Sequence, residues 1–222
     1  MPHDEKGPGP GVERPAPLGQ GGPALKAVER LPVKGRAPKT GYARERFGSP
    51  WADTDSNRCP TRDDILGRDL SEVTHADAAC EVASGVLAPD PYTGKRVEFE
   101  RGGPSEVDID HLVSLADAWQ KGAGRWKPGK RIAFANDPLN LLAVDASTNR
   151  SKGDGDTATW LPPNKAFRCT YVAGQVAVKK KYGLWVTKAE RDAMRRVLAG
   201  CRHQRLPTGG TPTEAPARFT AR

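Results

Sequence analysis

Val107-Asp108-Ile109-Asp110-His111, then Pro138-Leu139-Asn140-Leu141-Leu142-Ala143-Val144, then Asn149-Arg150-Ser151-Lys152-Gly153-Asp154 are the stretches that decide the fold of this chain. Glu106 to Ile109 has the length and alternation of a short strand, and it delivers His111 at its end. Leu141 to Val144 is an apolar run of strand length, and Ser147 starts a short helix that carries Asn149. The resulting order is strand, long loop, strand, short helix, a ββα unit. Taken singly, each stretch has a plainer explanation. An acid beside a histidine is usually a turn or a helix cap, an asparagine such as Asn140 is usually a turn residue, and Asn149 ahead of Lys152 and Gly153 could close a helix. Their order and spacing give them weight as a set.

Outward from this unit, Thr61-Arg62-Asp63-Asp64 opens a helix to about Leu70, with Thr61 as N-cap. Cys80 to Leu87 reads as a strand, Pro89 to Gly94 as a turn, and Arg96 to Glu100 as a second strand, making a hairpin ahead of the unit. Leu112 to Gln120 is expected to be helical up to Gly122 and Gly124, and Pro128 suits the first position of a helix reaching Ala135. Asn164 caps a long helix to about Lys181, and Thr187-Lys188-Ala189-Glu190 is a capping box for a last helix to about Ala199. Trp119, Trp126, Trp160 and Trp185 are expected in the core, and His75 and His203 on the surface. The expected class is α+β, with a hairpin and helix before the ββα core and two helices after it. Residues 1–40 and 204–222 are rich in Gly and Pro and short of apolar side chains, so they are expected to be a flexible tether and a flexible tail around a 41–203 domain.

The formal net charge is +8, and it is unevenly spread. Residues 51–100 hold 11 acids against 5 bases, whereas residues 151–222 hold 14 bases against 5 acids. Lys179-Lys180-Lys181 is the densest run. A basic second half suits a polyanion, although a solvated helix face would look the same. No stretch is apolar and long enough to span a membrane. The four cysteines show no CxxC spacing, which argues against a tetrahedral zinc site. Their spacing groups them as Cys59 with Cys80 and Cys169 with Cys201, and two disulfides would place the chain outside a reducing cytosol. The first 20 residues contain no apolar export segment, so either export relies on a segment that this chain does not carry, the favoured reading, or the four cysteines are reduced thiols in a core.

The chemistry of the set is that of phosphodiester hydrolysis. A histidine takes a proton from water near neutral pH, and a hard divalent ion held by oxygen ligands neutralises the phosphate and the leaving oxygen. Asp110 and Asn149 offer such oxygens, and Mg²⁺ keeps enough waters to need few protein ligands. Neighbours on a strand point to opposite faces, so Asp110 and His111 can serve one site only where the strand ends.

These residues together resemble the HNH (ββα-metal) endonuclease family, in the branch with a His-Asn-Asn set. The resemblance is nearest to secreted actinobacterial proteins carrying the DUF1524 domain, related to the C-terminal part of GmrSD-type restriction enzymes. It runs over about residues 34–201 and is carried by Gly41 to Asp53, Cys59-Pro60-Thr61-Arg62-Asp63-Asp64-Ile65-Leu66, Asp110-His111, Phe134 to Leu141, Asn149 to Asp154, Trp160 to Lys165 and Cys201. It implies that His111 is the general base, that Asp110 and Asn149 bind one Mg²⁺ or Mn²⁺, and that Asn140 holds the site loop. Arg150 and Lys152, with Arg62 behind them, become candidates for phosphate contact. The implied activity is weakly specific DNA cleavage by an exported nuclease, with RNA as the alternative substrate. Two other readings stand beside it: a basic nucleic-acid-binding module with an inactive site, and a disulfide-clipped extracellular interaction module.

Overall fold

The computed structural model describes residues 20–76, 80–104, 106–201 and 203–221. The chain runs β1 (Gln20–Pro23), α1 (Ala24–Val28), a 3-10 turn (Arg44–Phe47), α2 (Thr61–Asp69), β2 (Ser71–His75), β3 (Val82–Leu87), β4 (Val97–Glu100) and β5 (Val107–His111). It continues through α3 (Leu115–Gln120), α4 (Pro128–Ala135), β6 (Leu141–Asp145), α5 (Ala146–Lys152), α6 (Arg168–Tyr182), α7 (Lys188–Ala199) and β7 (Arg205–Pro207). The mixed α+β class is as expected, and the sheets are small and antiparallel.

Alternation explains β5: Val107 and Ile109 are buried on one face while Asp108 is half-buried on the other. The strand pairs with β6 in unbroken register from Val107↔Asp145 to His111↔Leu141. Val107, Ile109, Leu141 and Ala143 then pack against Ile65 and Leu66 of α2 and against Val82, Leu87, Val97 and Phe99 of the β2-β3-β4 sheet. Each of the larger of these side chains removed from water stabilises the fold by about 1.5–3 kcal/mol, before entropy is counted. A second, larger cluster joins α1, α3, α6 and α7 through Val28, Trp119, Val176, Met194 and Leu198. Asp145 caps α5 by accepting from the Thr148 amide at 2.7 Å, so the chain turns directly from strand into helix.

Both expected disulfides are formed. Cys59–Cys80 closes a loop spanning 21 residues and Cys169–Cys201 one spanning 32, the latter tying α6 to the end of α7. The Thr187–Glu190 capping box opens α7 as expected. No helix among the described residues is long and apolar enough to cross a membrane.

Other expectations need correction. Pro60, not Thr61, occupies the cap position of α2, and the Thr61 hydroxyl donates to the Ala52 carbonyl at 2.7 Å. Asn164 caps a 3-10 turn (Lys165–Phe167), and α6 begins only at Arg168. Strand β2 was not expected. Of the expected tether, residues 1–19 lie outside the described residues, but Ala24, Val28 and Leu31 are buried in the larger cluster. The expected tail supplies β7, which pairs with β1, and buries Leu206 and Ala215. The packed unit therefore extends beyond residues 41 and 203. Each Gly/Pro-rich end lacks the apolar surface to fold alone, but it borrows that surface from the helices and from the other end.

Part of the basic charge is spent internally. The Lys121 ammonium is fully buried 2.6 Å from Asp117, 2.9 Å from Asp156 and 2.6 Å from Glu190. Lys179, also fully buried, reaches Asp117 at 3.1 Å and Glu190 at 2.9 Å, and Arg36 closes the group on Asp117 and Asp156. Lys181 pairs with Asp137 at 2.5 Å, leaving Lys180 as the exposed member of the lysine run. The run is thus mainly an internal tie, not a polyanion surface.

Candidate active site

Asp108 and Asp110, two apart on β5, share a face, and Asn149 and Lys152, three apart on α5, share another. Packing α5 onto the strand pair brings these faces together. The Asn149 side-chain amide donates to Asp108 Oδ2 at 3.2 Å, and Lys152 Nζ lies 2.9 Å from Asp110 Oδ1 and 2.8 Å from Oδ2. Lys152 also donates to the His111 carbonyl at 2.8 Å and is buried. It is therefore not placed to meet a phosphate from solvent: burial was the cheaper outcome because Asp110 needed a counter-charge inside the protein. Tyr92, wholly buried among Trp160, Phe167 and Tyr171, donates its hydroxyl to Asp110 Oδ2 in a short hydrogen bond. Burial, followed by the Asp110 charge, pushes the Tyr92 phenol well above its ordinary range, so it remains a donor. The turn carrying Tyr92 is fixed by Asp90, which accepts from the Thr93 amide at 2.6 Å and the Asp145 amide at 2.8 Å.

His111 ends the strand. Its Nε2 lies 2.8 Å from the Ala135 carbonyl, which can only accept, so Nε2 carries the proton and Nδ1 carries the free lone pair. Burial lowers the imidazole to about 4, so the ring is neutral at neutral pH. Asn140 is fully buried, and its Oδ1 accepts from the Val113 amide at 2.9 Å while its Nδ2 donates to the Val113 carbonyl at 3.3 Å. Its own carbonyl accepts from the Leu112 amide at 2.8 Å. These three bonds turn the chain away immediately after His111, as the adjacency of Asp110 and His111 requires. Asp137 in turn holds Asn140, accepting its amide on the backbone carbonyl at 2.8 Å.

One polar cavity of about 200 Å³ is lined by Asp110, His111 and Asn149 together, with Tyr42, Arg44, Ser114 and Asp154 around them. Asn140 does not line it and acts on it only through the loop. Among the described residues no group of three or more His, Cys, Asp or Glu gathers to hold a metal ion. The donors present are nevertheless of the type a hard ion takes. Asn149 uses its amide nitrogen on Asp108, which leaves its oxygen free, and Asp110 Oδ1, bonded to Lys152, keeps a second lone pair, whereas Oδ2 is taken by Tyr92 and Lys152. Arg150 is exposed on α5, and among the described residues no hydrogen bond or ion pair engages it. Arg62 is half-buried over the rings of Trp51, at 5.8 Å, and Phe99, at 6.0 Å, and among the described residues no carboxylate is bonded to it. Arg44, Tyr92 and Asp108 were not found by sequence reasoning. Asp108 was accessible from its i, i+2 spacing to Asp110. Tyr92 and Arg44 arrive from segments distant in sequence, and nothing local marks them.

Residues 60–197 match the family model described as the C-terminal domain of GmrSD restriction endonucleases. The chain belongs to that family. The match contains Arg62, Tyr92, Asp108, Asp110, His111, Asn140, Asn149 and Lys152, whereas Arg44 and Trp51 precede it. A protein of Arthroderma benhamiae called an uncharacterized secreted protein is 37% identical over 192 residues, covering 86% of this chain and 90% of its own. No solved structure matches the chain. For a GmrSD C-terminal family member, two disulfides are also consistent with an oxidising, extracellular setting.

Proposed function

We propose that this protein is an exported, metal-dependent endonuclease that hydrolyses DNA phosphodiester bonds at an HNH-type ββα site formed by β5, β6 and α5. The observation that carries the reading is that His111, its Nε2 held by the Ala135 carbonyl, shares one cavity with Asp110 and Asn149. The family's restriction endonucleases make a nuclease the natural activity. Asp110 and Asn149 would hold one Mg²⁺ or Mn²⁺, which when bound supplies positive charge to the phosphate and the leaving oxygen. His111 Nδ1 takes a proton from the attacking water, and the Ala135 carbonyl keeps its ring in the required tautomer. Asn140 holds the loop behind the base. Tyr92 and Lys152 fix Asp110 and leave its Oδ1 a lone pair for the ion. Arg150 and Arg62 are the phosphate contacts, and Lys152 is withdrawn from that role. Localisation outside the cell rests on the disulfides and on the secreted relative.

One observation favours a second reading. Lys152 already balances the Asp110 charge, as in a site that binds nucleic acid without metal-dependent turnover. Plasmid nicking in Mg²⁺, Mn²⁺ or EDTA, beside His111→Ala, separates the two. The nuclease reading expects metal-dependent nicking, abolished by EDTA and reduced by about 10²–10⁴ in the variant. DNA binding with no nicking in any metal would leave the binding module. Normal nicking by His111→Ala would remove the assigned base.

A further inference from the structure

His111 also borders a second cavity, about 110 Å³, that neither Asp110 nor Asn149 lines. Its walls are largely apolar, contributed by Phe47, Pro50, Trp51 and Leu115. Arg44 lines both this cavity and the polar one, is exposed, and is engaged by no hydrogen bond or ion pair among the described residues. The wall is built with some cost. Trp51 holds φ +59°, a left-handed conformation that a bulky side chain rarely adopts, secured by the Thr61 amide donating to its carbonyl at 3.3 Å. Gly48, at φ +85°, lets the corner pass close to Ile132, where an added Cβ would lie 2.7 Å from Cγ1. Strain of this kind persists where surrounding structure over-determines it, and it gathers at ligand clamps.

Resting on the nuclease reading, we infer that this cavity is a nucleoside subsite that seats one nucleobase next to the phosphate under attack. Arg44 stands at the junction and binds that phosphate. At about 110 Å³ the space is far below the several hundred Å³ that enclose a drug-sized ligand, so it suits a single flat ring and not a whole nucleotide. An aromatic, apolar wall stacks any base, because every base has a π-face. The apolar part of the wall offers free inorganic phosphate nothing beyond Arg44. An unpaired cation between an apolar slot and a polar cavity matches the alternation of base and phosphate along one strand.

The test uses the whole chain in EDTA, so that it does not depend on turnover. Thymidine 5′-monophosphate and inorganic phosphate are titrated separately while the tryptophan indole and His111 ring resonances are followed, with the Trp51 signal assigned through Trp51→Phe. The nucleotide is expected to move the Trp51 and His111 signals and to bind roughly tenfold more tightly than phosphate, the size of one stacking contact. Trp51→Ala should bring the two affinities within about twofold, and Trp51→Phe should keep most of the difference. Arg44→Ala should weaken both ligands together. Equal responses to the two ligands, or no response at Trp51, overturns the subsite even if the protein cleaves DNA. Conversely, absence of nicking in every metal removes the nuclease reading and leaves this binding result standing on its own.

Discussion

At the scale of single residues, Asp110 shows how a site acid is kept inside a protein. Tyr92 and Lys152 satisfy it without exposing it, and each makes a separable contribution. Lys152→Met leaves a buried carboxylate without its counter-charge and is expected to cost about 3–5 kcal/mol, read from the urea midpoint at neutral pH. A surface phosphate contact would instead lower activity with the midpoint unmoved. Asn140→Ala strands the buried amide and carbonyl of Val113 and should destabilise by roughly 2 kcal/mol or more. It should lower turnover as well, because the loop behind His111 loses its tie. If Asn140→Ala unfolds like the parent, that loop is held by something other than the bonds described.

At the scale of elements, the parts with strong local signals are those the sequence announced. Strand β6, helix α4 with its leading Pro128 and helix α7 with its capping box sit within a residue or so of expectation. Thr187→Ala should cost about 1 kcal/mol, measurable as a shift of the urea midpoint. The elements that were missed owe their existence to tertiary partners. Ser71–His75 is largely exposed and reads as polar, yet it pairs with β3. Gln20–Pro23 forms a strand only because Arg205–Pro207 lies beside it. The same limit explains the site. Asp110, His111, Asn140 and Asn149 could be proposed as a set because each lies on or beside an element with a strong local signal, β5, β6 or α5. Lys152 was misread because its charge is visible in sequence and its burial is not.

For the whole molecule, the ion cluster of Lys121, Lys179, Asp117, Asp156, Glu190 and Arg36 couples the helices to the loop after α5. Burial alone would raise the Asp117 carboxyl, but Lys179 and then Lys121 more than offset it and hold it down at about 2. A carboxylate depressed in the folded state stabilises the fold above its unfolded value of 3.8, and that contribution is lost as pH falls toward 2. Urea midpoints measured from pH 5 to pH 2 should fall by the equivalent of about 2 kcal/mol on this account, and Asp117→Asn should flatten that part of the curve. An equally steep curve in the variant would assign acid sensitivity elsewhere.

The disulfides also set what happens when the backbone is cut. A protease that nicks the chain between residues 59 and 80, or between 169 and 201, separates two peptides that remain one covalent molecule. The pieces cannot diffuse apart, so a nicked copy keeps its fragments at high effective concentration for re-docking. On a gel, such copies run as one band without reductant and as two with it.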